Sequence, residues 1–77
     1  MILTIDDLAR HIAHAVYDRA DWKRAAGDYL SELEGRHRGA LGAAARRVGT
    51  SATAERRFFA KVERAIEAAR RLDREIG

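Results

Sequence analysis

RADWKRAAGD, residues 19–28, decides how many helices this chain forms. On both sides of it apolar residues recur at alternating spacings of three and four. The series runs Ile5, Leu8, Ile12, Ala15, Arg19, Trp22, Ala26, Tyr29 and Leu33, and only Arg19 is charged. A stripe of that period suits one helix packed against another. Inside the segment two signals oppose continuity. Asp21 is a good N-cap for a second helix, and Gly27 lowers helix propensity. A single helix over about 4–34 is the expectation, with a break near Asp21 as the alternative. It starts at Thr4, whose hydroxyl can cap the helix, with Asp7 placed to complete a capping box.

Downstream, EGRHRGALG (34–42) holds Gly35, Gly39 and Gly42 and is the clearest break. A short helix over about 38–48 follows, with Leu41, Ala44, Ala45 and Val48 on its inner face, and it ends at Gly49. Ser51 or Thr53 can cap a last helix over about 52–76. There Phe58, Val62, Ala65, Ala69, Leu72 and Ile76 repeat the three-four spacing. The expected fold is all-α, a small helical bundle within one domain, 1–77. Two long antiparallel helices would enclose a short one, with Val16 and Leu30 widening the first seam. Trp22 and Tyr29 are expected in core or dimer packing. Two narrow seams make a small core for 77 residues, because a chain this short buries only about 60% of its unfolded surface. A homodimer is therefore expected, with a self-contained three-helix bundle as the alternative.

Charge is divided unevenly. The net charge is +3, but residues 1–35 carry an excess of three acids and residues 36–77 an excess of six bases. Such asymmetry steers the basic half toward an anionic partner or pairs the two halves within one molecule. Arg57, Lys61, Arg64 and Arg71 align along one flank of the last helix, and Arg46 and Arg47 can extend it. Arginine forks make bidentate hydrogen bonds to carboxylate and phosphate alike, so these six residues are the expected partner-binding set. The other flank mixes Arg56, Glu63, Glu67, Arg70 and Arg74, which are expected to form local ion pairs in solvent.

AAARRVGTSATAERRFF (43–59) resembles a helix-turn-helix segment. Small Ala45 stands four before the turn glycine Gly49, Val48 precedes that glycine, and Arg56, Arg57 and Phe58 follow on the next helix. The resemblance covers about 20 residues and implies duplex DNA as a partner. It departs at Glu55, where an aliphatic residue normally inserts, and at Thr50, where an apolar residue normally follows the glycine. A protein partner is therefore the leading expectation and nucleic acid the alternative. No platform of interleaved aromatics for stacking single-stranded bases is present, since Phe58 and Phe59 sit in or beside the seam.

DDLARHIAHAVYD (6–18) raises the question of a metal site. Asp7, His11, His14 and Asp18 fall within an arc of about 60° on one helix, but Asp7 and Asp18 lie roughly 16 Å apart along its axis. One ion with ligand bonds near 2 Å cannot hold all four. The expectation is no metal and no cofactor, with Asp7–His11 and His14–Asp18 as pairs at the solvent edge. Catalysis has no support either. No nucleophile elbow, zinc-binding HExxH motif or phosphate-binding glycine loop is present, so no catalytic residue is assigned. No cysteine occurs, and no apolar run approaches the roughly 20 residues of a membrane span. A cytoplasmic, non-enzymatic regulatory, adaptor or inhibitor protein is the overall expectation.

Overall fold

The computed structural model describes residues 4–36 and 38–76. Among them the chain is all-α: α1 (Ile5–Val16), α2 (Trp22–Arg36), α3 (Ala40–Val48) and α4 (Ala52–Ile76). Thr4 caps α1 as its sequence predicts. The Thr4 hydroxyl accepts from the Asp7 amide at 3.1 Å, and the Asp7 carboxylate accepts from the Thr4 amide at 3.1 Å.

The expected helix 4–34 is two helices. α1 stops after Val16, where the amide of Arg19 closes a turn onto the Val16 carbonyl at 3.0 Å. Arg19 then turns outward and grips Asp21 with both guanidinium arms, at 2.8 and 3.0 Å. The Asp21 carbonyl accepts the first helical hydrogen bond of α2, from Ala25, at 3.0 Å. The physical reason for the break is Arg19 itself. Continuing the helix would carry its guanidinium into the stripe, and an unpaired charge is costly to bury. Breaking the helix leaves Arg19 exposed and paired.

The inward face of α1 also differs from the narrow stripe. Leu8, Ala9, Ile12, Ala13 and Val16 are buried, whereas Ala15 is exposed. α2 contributes Ala26, Leu30 and Leu33, α3 contributes Ala44, Ala45 and Val48, and α4 contributes Phe58, Val62 and Ile66. These form one core cluster, with Trp22, Tyr29 and Phe59 half-buried against it. No polar or charged side chain among the described residues is buried. The radius of gyration, 12.3 Å, is near the roughly 11.5 Å expected of a compact chain this long. Leu8, Ile12, Phe58 and Val62, from the two seams, are buried within this one chain.

α1 and α4 form the main packing contact, and they run in the same direction. Asp6, at the start of α1, meets Lys61 at 2.6 Å. Tyr17, just past its end, meets Asp73 at 3.1 Å. Both positions advance together, so the pair is parallel, in place of the long antiparallel pair expected. Burial of Ala9 and Ala13 beside half-buried Ala65 and Ala69 suits close approach of the two backbones.

Candidate partner-binding face

α4 owes its length to its composition. Ser51 caps its start, its hydroxyl accepting from the Ala54 amide at 3.1 Å, and alanine, arginine and glutamate fill the interior without proline or glycine. At 100° per residue, Arg57, Arg64 and Arg71 fall within an arc of about 40° on the side opposite Phe58, Val62 and Ile66. They are seven residues apart, so each step along the axis is about 10.5 Å. All three side chains are exposed. Among the described residues no hydrogen bond or ion pair holds any of them. Within the arc from Arg57 to Arg71 itself no acid falls, but Glu67 borders it, one turn before Arg71 and about 40° to its side, and Glu75 ends the stretch.

The other three members of the expected set are placed differently. Lys61 is half-buried and tied to Asp6 of α1. Its ammonium, by hydrogen bond and then by charge, holds the Asp6 carboxyl below the usual range. Lys61 is therefore part of what fixes α1 on α4 and only borders the basic flank. Arg46 of α3 turns toward the end of α2, donating to the Glu34 carbonyl at 3.4 Å. Arg47 is exposed on α3, and its carbonyl accepts from the Thr50 hydroxyl at 2.8 Å.

The mixed flank is not a run of local ion pairs. No ion pair among the described residues joins Arg56, Glu63, Glu67, Arg70 and Arg74. Arg70 instead reaches α1, donating to the carbonyls of Tyr17 at 2.6 Å and Arg19 at 3.1 Å. The sequence carries little signal for this contact, because it depends on α1 ending at Val16. Arg56 and Glu63 line a groove with Trp22, Lys23, Glu55 and Phe59.

The histidine stripe comes apart. Asp7 is engaged by Thr4 and Arg10, and these contacts, the Thr4 amide first, lower its pKa. His11 bonds the Tyr29 hydroxyl of α2 at 2.9 Å, and the two rings meet edge to face. The expected Asp7–His11 pair is therefore absent, since each partner is used elsewhere. No ion pair joins His14 and Asp18 either.

The helix-turn-helix resemblance is realised in its spacing. α3 ends at Val48, residues 49–51 turn, and α4 begins at Ala52. Ala45 and Val48 are buried while Thr50 and Glu55, the two departures in sequence, are exposed. Gly49 adopts φ −73°, a conformation open to any residue.

Two apolar side chains remain uncovered. Leu72 is 55% exposed and Ile76 79% exposed, the only large hydrophobics so placed among the described residues. The apolar stripe of α4 thus continues past the residues that bury it. No helix among the described residues is long and apolar enough to cross a membrane. No protein-family model, curated protein or solved structure matches the chain.

Proposed function

We propose that this chain is a small non-enzymatic regulatory or adaptor protein of the cytoplasm that binds a larger, acidic protein through the exposed flank of α4. One observation supports it above the others: Arg57, Arg64 and Arg71 stand in an exposed row, and no ion pair among the described residues holds any of them. A free guanidinium retains its bidentate capacity for a carboxylate on another molecule. A rim charge of this kind mainly governs encounter and specificity, so binding would weaken with salt.

Replacing all three arginines by glutamate tests this. The variant should lose the partner that the unaltered protein retains from the source cell, identified by mass spectrometry, while keeping its helical circular dichroism. Retention of that same partner by the folded variant would overturn the proposal.

A second reading, duplex DNA, is favoured by the Ser51-capped three-residue turn between α3 and α4. It would place the start of α4 in the major groove, where exposed Glu55 is unfavourable next to phosphate. Under the protein reading, duplex DNA binds no tighter than about 10⁻⁴ M at physiological salt. Sub-micromolar, sequence-selective binding there would favour DNA instead.

A further inference from the structure

We propose that the C-terminal half of α4 docks an acidic amphipathic helix, whose apolar residues cover Ala68 and Leu72 while its carboxylates meet Arg64 and Arg71. This rests on the protein reading above and names the chemistry of the partner.

The shape of the flank selects a helix. A row of cations at seven-residue intervals stays in step with acids repeated at seven residues on a second helix, since both rise by about 1.5 Å per residue. Two helices crossing at about 20° hold such a register over several turns. Phosphates on a duplex wind away from a straight row, and a flexible acidic tail would make no use of the spacing.

The apolar part selects an amphipathic one. Ala68 lies about 40° from Arg64 and Leu72 about 80° from it, so the arginines rim one side of an apolar strip. Among the described residues Leu72 and Ile76 are the large hydrophobics left exposed, and both are on this half of α4. They cannot alone approach the roughly 800 Å² per partner of a standard interface. The charged rim must therefore carry part of the affinity, which makes complementary acids a requirement. Glu67, one turn before Arg71 on the side away from Leu72, and Glu75, one turn beyond it, bound the acid-seeking stretch.

The test uses the full chain and a labelled synthetic helical peptide with a leucine stripe flanked by glutamates seven residues apart. Fluorescence anisotropy should show binding that Arg64→Glu or Arg71→Glu weakens about two- to fivefold each, the range expected for losing an exposed charge contact. Leu72→Ser should weaken it too, and Arg56→Glu on the other flank should not. The same peptide with lysines for glutamates should not bind.

Absence of binding by the glutamate peptide, equal binding by the lysine peptide, or indifference to both arginine reversals would overturn the inference. If the peptide fails while the triple arginine variant still loses the cellular partner, only the helical docking mode falls. If the variant keeps that partner, the protein reading falls as well.

Discussion

The guanidinium of Arg70 on α4 sits against the carbonyl oxygen of Tyr17, 2.6 Å from its Nε, just beyond the last turn of α1. A second arm reaches the Arg19 carbonyl at 3.1 Å. Helix C-termini leave carbonyls without intrahelical partners and carry partial negative charge. One arginine thus satisfies the end of α1, stabilises the turn that follows, and ties both to α4.

Arg70→Ala should destabilise the protein by about 1 kcal/mol, as expected for lost hydrogen bonds at an accessible site. Arg70→Lys should recover only part, because an ammonium cannot span both carbonyls as a fork does. Urea unfolding measures both. Equal stability of Arg70→Ala and the unaltered protein would mean that water replaces the clamp at no cost.

Core and surface positions of the same apolar pattern should separate sharply. Ile12 and Phe58 are fully buried, and truncation to alanine should cost about 2–5 and 3–5 kcal/mol respectively. Leu72→Ala should fall within about 0.5 kcal/mol, as for an ordinary surface change. A large loss at Leu72 under dilute conditions would reveal that its face is already covered in solution.

Gly49 is a test of the turn. A Cβ there would lie 2.7 Å from the Glu34 carboxylate oxygen, which is the tip of a flexible side chain and can swing away. With φ −73°, alanine fits the backbone. Gly49→Ala should therefore change stability by less than about 1 kcal/mol, and in a Glu34→Ala background it should stabilise by about 0.4–1 kcal/mol. A loss above about 2 kcal/mol would mean that the turn needs a left-handed glycine, as strained positions do.

Stability should fall at both ends of the pH scale. Asp6, Asp7 and Asp21 are held below the usual carboxylate range by Lys61, by Thr4 with Arg10, and by Arg19. Their contribution is complete above the ordinary value of about 3.9 and is lost as pH falls through the lower folded-state values. Tyr17 has the opposite sign. Its hydroxyl donates to Asp73, which raises its pKa, so that contribution is complete below about 10 and is lost as pH rises through the raised value. Asp7→Asn should flatten the acid limb and Tyr17→Phe the alkaline one in unfolding curves across pH. An acid limb unchanged in Asp7→Asn would refute the first assignment.

What the sequence determined by itself was whatever depends on neighbours in the chain. Thr4 and Asp7 form their capping box because both partners lie within one turn. Gly49 and Ser51 bound α3 and α4 for the same reason, and the spacing of Phe58 and Val62 marks them as buried wherever α4 packs. The row of Arg57, Arg64 and Arg71 follows from helical period alone. Only the tertiary structure decided the rest, because it turned on competition between contacts far apart in sequence. The break at Arg19 depends on the cost of burying its charge against neighbours the stripe does not reveal. The capture of Lys61 by Asp6, of His11 by Tyr29, and of the end of α1 by Arg70 each depends on which helices lie side by side. So does the exposure of Leu72 and Ile76, whose spacing is that of core residues and whose surroundings are not.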